Sequence, residues 1–117
     1  MITAQFSKHD NGFITVRVTG HANAAPKGED YICAMASSFA QAIRQASINW
    51  LNQQWIEDDP RLDVEDGKAI ITIKPKPDKE TIILCMLQMV ALEYAILQNQ
   101  YPEYVKFIPF GNSSELI

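Results

Sequence analysis

The stretch FITVRVTGHANAAPKGEDYICAMASSFAQAI, residues 13–43, changes its apolar period part-way along, and that change decides the fold class. Over residues 13–18 apolar and polar side chains alternate, as on a strand with one buried face. From residue 20 to residue 30 small and polar residues take over, with Gly20, Pro26 and Gly28 as breakers, and the pattern predicts a mobile loop. After Asp30 apolar side chains recur at Ile32, Ala36, Phe39, Ile43, Ala46 and Trp50, in steps of four and three that define one helical face. The spacing predicts a helix over residues 31–55. Glu57-Asp58-Asp59-Pro60 should end it, because proline disfavours helix in the residue before it.

Working outward, residues 2–6 also alternate, and Asp10-Asn11-Gly12 supplies a turn that joins them to residues 13–18 as a hairpin. A second strand pair, residues 61–64 and 69–73, flanks Glu65-Asp66-Gly67. Pro75 and Pro77 separate it from a second helix over residues 78–99, with Asp78 as N-cap. In that helix Ile82, Ile83, Leu84, Met86, Leu87, Met89, Val90, Leu92 and Leu97 point in nearly every direction, more than one buried face can absorb. A homodimer covering the outer face is the economical reading, since two-fold dimers are the commonest oligomers. Tyr101-Pro102 ends the helix, residues 104–108 read as a last strand and residues 111–117 as a loose tail. The order β-β-α-β-β-α-β predicts an α+β fold, with helices packed on one or both faces of a single mixed sheet and residues 1–117 as one domain.

Composition narrows the function. The 117 residues are 47% hydrophobic and 21% charged, enough apolar surface for one core. A net charge of −4 lacks the positive field that binds phosphate backbones, so no direct nucleic-acid ligand is expected. The apolar run over residues 82–97 is interrupted by Gln88 and Glu93 and reads as too short and too polar for a membrane span. The N-terminal residues carry no basic and apolar leader pattern, so a cytoplasmic location is expected. Two cysteines, Cys33 and Cys85, would then remain thiols. Cys85, inside the apolar second helix, reads as an inert core thiol. No Cys-x-x-Cys pair suggests a metal, and no cofactor is expected.

The chemistry sits between Gly20 and Ser37. Asp30 stands where an N-cap belongs, which places Cys33 in the first helical turn, where unsatisfied N–H groups and the helix dipole favour a thiolate. His21, just past a strand end, is the nearest histidine and could take the thiol proton and later protonate a leaving amine. Backbone N–H groups near Cys33 and Ala34 could hold an oxyanion. Ser37 lies one turn beyond Cys33 on the same face, free to meet substrate or to bond its own helix. Equally, a first-turn cysteine can be a small buried hydrophobe, and Asp30 a helix cap alone.

The pattern Gly20-His21-Ala22, five residues, Gly28-x-Asp30-x-Ile32-Cys33-Ala34-x-x-Ser37 resembles the signature of the ribosomal-processing cysteine protease family, Prp. The resemblance implies that His21 and Cys33 are a catalytic pair, with Asp30, Ala34 and Ser37 in support and Gly20, Ala22 and Gly28 shaping a loop. It also implies a homodimer and a peptide substrate with an apolar segment ending in aromatic residues. The implied activity is removal of a short N-terminal extension from a large-subunit ribosomal protein, or trimming of a phage capsid or scaffold protein. Four positions depart from the usual pattern: Asn23 stands where glycine is common, Lys27 where an aromatic residue often is, and Met35 and Ala36 where a small and a branched residue are usual. These departures motivate an alternative, a non-catalytic dimeric binding module of the same fold.

Overall fold

The computed structural model describes residues 1–25 and 30–110, so the readings made for Lys27, for Gly28 and for the 111–117 tail fall outside the described residues. Strands β1 (Ile2–Lys8) and β2 (Ile14–Thr19) form the first hairpin, followed by helix α1 (Tyr31–Asn52). Strands β3 (Arg61–Glu65) and β4 (Lys68–Ile73) form the second, followed by helix α2 (Glu80–Gln100) and strand β5 (Val105–Ile108). The five strands make one sheet in the order β3-β4-β2-β1-β5. It is mixed, since β5 pairs parallel to β1 and every other pairing is antiparallel.

Ile2, Ala4 and Phe6 of β1, Ile14, Val16 and Val18 of β2, and Ala69, Ile71 and Ile73 of β4 are buried, while the residues between them are half-buried or exposed. One sheet face is therefore roofed by the helices and the other stays polar, as the period of two requires. Phe6 is fully buried at the centre of an aromatic cluster, with ring centroids 5.3 Å from Phe110, 5.9 Å from Tyr94 and 6.0 Å from Phe107. Tyr94, also fully buried, donates its hydroxyl to the Ala36 carbonyl at 2.7 Å and meets Phe39 edge-on at 5.2 Å, tying α2 to α1 one turn beyond Cys33. Burial raises the Tyr94 pKa, so the hydroxyl stays a donor.

Both helices depart from expectation at an end. Helix α1 stops three residues before Trp55, well ahead of Pro60. Gln54 takes a left-handed φ of 62°, its N–H donates to the Leu51 carbonyl at 3.0 Å, and the Trp55 N–H reaches back to the Trp50 carbonyl at 2.8 Å. That pair of bonds is a Schellman C-cap, built without the usual glycine. At the other helix Asp78 is not the cap: Pro77–Lys79 form a 3-10 turn, and α2 begins after Lys79 with no side-chain cap bond. On α1 the buried face includes Ala40 and Ser47, and the Ser47 hydroxyl is satisfied by the Ile43 carbonyl at 2.9 Å.

Helix α2 divides its apolar residues as its all-round hydrophobicity demands. Ile83, Leu87, Ala91, Tyr94 and Leu97 are buried, whereas Ile82, Met86, Met89, Leu92 and Ile96 are exposed, Met89 by 67%. The segment is in fact long and apolar enough, by length and composition, to cross a membrane; the reading of it as too short and too polar is corrected. Its buried face against α1 and the sheet makes it a structural part of this fold. Cys85 is likewise exposed and is no core thiol, because its position lies beside the outward stripe.

Candidate active site

β2 ends at Thr19, and Gly20 turns the chain with φ 95°, its N–H donating to the Gly67 carbonyl at 2.9 Å in the β3–β4 turn. A Cβ at Gly20 would run into the Met1 carbonyl, so both the conformation and the space require glycine. His21 follows, exposed, with its ring against the β3–β4 turn. Ala22 is buried, and its N–H donates to the Cys33 sulfur at 3.2 Å. Asn23 takes φ 55°, a left-handed conformation that asparagine tolerates better than most residues with a Cβ. The substitution at this position thus preserves the turn a glycine would make.

Asp30 is the N-cap of α1, with extended backbone and one carboxylate oxygen accepting from the Cys33 N–H at 3.0 Å. Its second oxygen accepts from the Ala24 N–H at 3.0 Å. One carboxylate therefore ties the loop that carries His21 and Ala22 to the turn that carries Cys33. The Cys33 N–H bond holds the Asp30 carboxyl below the usual carboxylate range against the opposing effect of desolvation, with lesser help from the Ala24 N–H.

A cavity of about 540 Å³ opens over this junction. His21, Asn23, Asp30, Cys33, Ala34 and Ser37 line one end of it; Val64, Glu65, Gly67 and Lys68 from the β3–β4 hairpin wall the side. Val18, Ala36, Ala40 and Ala69 give it a small-residue, apolar floor. Lys68 bridges Asp63 at 3.0 Å and Glu65 at 3.1 Å, and these acids raise its pKa. The cavity is a trough between α1 and the β3–β4 hairpin.

His21, Cys33, Asp30 and Ser37 line the same cavity, and three details differ from expectation. No hydrogen bond joins His21 to Cys33; the sulfur receives the Ala22 N–H, and the imidazole leans on Gly67. The oxyanion role expected of the Cys33 and Ala34 N–H groups does not fit, because both donate at 3.0 Å to Asp30, to its carboxylate and its carbonyl respectively. Met35 packs against the core and does not line the cavity, so it does not reshape the space beneath the thiol. The Ser37 hydroxyl is exposed and makes no hydrogen bond within the described residues, which leaves it facing whatever enters. The Ala22 N–H and Gly67 were missed by sequence reasoning. The Asp-Gly turn was visible, but nothing local shows which side chain it meets.

The family model for the cysteine protease Prp matches residues 1–106. The chain belongs to the Prp family of cysteine proteases. Its fold is shared with the Staphylococcus aureus ribosomal processing protease Prp, solved with a covalently linked product peptide: TM-score 0.62, 22% identity, covering 93% of this chain and 99% of that one. The same Prp enzyme in complex with a substrate peptide matches with TM-score 0.58 at the same identity and coverage. SMU.848 from Streptococcus mutans matches with TM-score 0.58 and 22% identity over 94% of each chain. At this identity the structural likenesses establish the Prp fold. No curated protein sequence matches the chain.

Proposed function

We propose that this Prp-family chain is an endopeptidase in which Cys33 is the nucleophile and His21 the general base. The observation that carries the reading is the shared cavity: a first-turn thiol, its sulfur already accepting the Ala22 N–H, opens into the same trough as the one nearby imidazole. His21 takes the Cys33 proton, the thiolate attacks the scissile carbonyl, and the imidazolium gives the proton to the leaving amine as the C–N bond breaks. Water, deprotonated by His21, then attacks the thioester, which releases the carboxylate product and regenerates the thiol. The hydrogen bond between His21 and Cys33 forms when substrate fills the trough, since catalytic contacts are often long or misaligned before binding.

The substrate is an extended peptide with an apolar segment ending in aromatic residues, seated on the floor of Val18, Ala36, Ala40 and Ala69. The name of the S. aureus relative, a ribosomal processing protease, supports a ribosomal protein extension as the natural target; a phage capsid or scaffold segment is the competing source. The active form is a homodimer in the cytoplasm, its two α2 stripes of Ile82, Met86, Met89, Leu92 and Ile96 facing each other.

The test incubates wild type, Cys33→Ala and His21→Ala with peptides whose apolar segment ends in aromatic residues before the scissile bond, drawn from ribosomal extensions and from phage capsid proteins. Cleavage by wild type alone supports the mechanism, and the better peptide series assigns the substrate. Full activity in Cys33→Ala overturns it. Tight peptide binding with no product, unaffected by thiol alkylation, would instead favour the non-catalytic binding module.

A further inference from the structure

We propose that Gly67, in the turn between β3 and β4, is a positioning residue for His21; the proposal rests on the reading of His21 as the base. Two observations meet at this one residue. A Cβ at Gly67 would lie 2.5 Å from His21 Nε2 and within 3.3 Å of Cε1 and Cδ2, so the imidazole occupies the space that any other residue's side chain would need. The Gly67 carbonyl also accepts the Gly20 N–H at 2.9 Å, which fixes the Thr19–Gly20 peptide, one residue ahead of His21. The turn therefore holds the base from two directions, at its backbone root and across its ring.

His21 is exposed, its ring makes no hydrogen bond among the described residues, and within them Gly67 is the backbone it lies against. If a Cβ is added, the ring yields rather than the turn, because a side-chain end on an open surface moves more cheaply than paired backbone. The ring then leaves the side of the cavity it shares with Cys33. Displacements of this size, about 1 Å, cost up to a hundredfold in rate when they misplace a catalytic group. The turn supplies no reacting atom.

The β1–β2 turn provides a matched control. Gly12 has φ 90° and Gly67 has φ 75°, so alanine strains the backbone similarly at both, but a Cβ at Gly12 meets only the flexible Lys74 side chain at 3.5 Å. The chain has two histidines, His9 beside Gly12 and His21 beside Gly67, each of which reports on one turn.

The experiment compares wild type, His21→Ala, Gly12→Ala, Gly67→Ala and Gly67→Asn; asparagine accepts positive φ more readily and carries the same Cβ. Ring signals of the two histidines are followed by NMR from about pH 5 to 9, and Cys33 alkylation by iodoacetamide is followed by mass spectrometry over the same range. Both Gly67 variants should move the His21 signals and leave those of His9, and should bring Cys33 alkylation to the profile of His21→Ala. Their kcat/KM on the aromatic peptide should fall about tenfold to a hundredfold, with Gly12→Ala at the wild-type value.

Unmoved His21 signals in the Gly67 variants, or equal movement in Gly12→Ala, overturn the proposal. So does unfolding of both Gly67 variants beside a folded Gly12→Ala, since the turn would then serve the fold. A wild type that cleaves no peptide defeats the proposed function instead, and the His21 signals still decide the positioning.

Discussion

Asp30 is the residue on which the site converges. Its two oxygens serve two different partners, the Cys33 N–H at the start of the helix and the Ala24 N–H across the loop. Asparagine caps helices as well as aspartate but presents only one acceptor oxygen. Asp30→Asn should therefore cost under about 1 kcal/mol in urea unfolding, while the Ala24 amide exchanges faster because it loses its acceptor. Asp30→Ala removes both bonds and should cost about 1–2 kcal/mol. The folded pKa is held below the usual carboxylate range, so the charged carboxylate stabilises the fold above the ordinary value. This contribution falls as pH drops through the lower folded pKa. Acid unfolding of wild type should steepen there, and Asp30→Asn should lack that component; identical acid limbs would remove Asp30 as its source.

At the scale of the elements, the C-terminus of α1 shows what a local pattern hides. The Schellman cap puts Gln54 at φ 62°, where a residue with a Cβ is strained and glycine is not. Gln54→Gly should raise stability by about 0.5–1 kcal/mol, read as a higher urea midpoint with an unchanged slope. A lower midpoint would mean that the Gln54 side chain contributes more than its backbone costs. In the loop before α1, Asn23 at φ 55° should accept glycine with a change of a few tenths of a kcal/mol, whereas Asn23→Val should cost about 1–3 kcal/mol.

For the whole molecule the decisive feature is the outward face of α2. Met89 and Leu92 are exposed by 67% and 54% in the single chain, within a stripe that continues from Ile82 to Ile96. Such a surface is expected to be covered in solution. Sedimentation of wild type at micromolar concentration should give a dimer, and Leu92→Glu should weaken it by about a hundredfold, the loss of one buried leucine plus a charge. A monomeric wild type would sink the interface. A variant that becomes monomeric yet keeps full cleavage would show that each trough works alone.

What the sequence determined by itself was everything carried by short-range periodicity and turn chemistry. The alternation in residues 2–6, 13–18 and 69–73, the four-and-three spacing after Asp30, and the Asn-Gly and Asp-Gly turns gave the element order. The cap at Asp30 placed Cys33 in the first turn, and the family pattern pointed to His21. These are contacts within about four residues, so composition and spacing encode them. Tertiary structure decided the rest. The order β3-β4-β2-β1-β5 brings the Gly67 turn beside His21, although the two are far apart in sequence. The Ala22 N–H meets the sulfur because Asp30 draws the loop inward, and the Cys33 and Ala34 N–H groups are used up by that same residue. Cys85 and Cys33 differ in environment because one helix face meets a sheet and the other meets solvent. Each of these outcomes depends on which distant surfaces pack together, and that free energy is summed over the whole core rather than written at any one position.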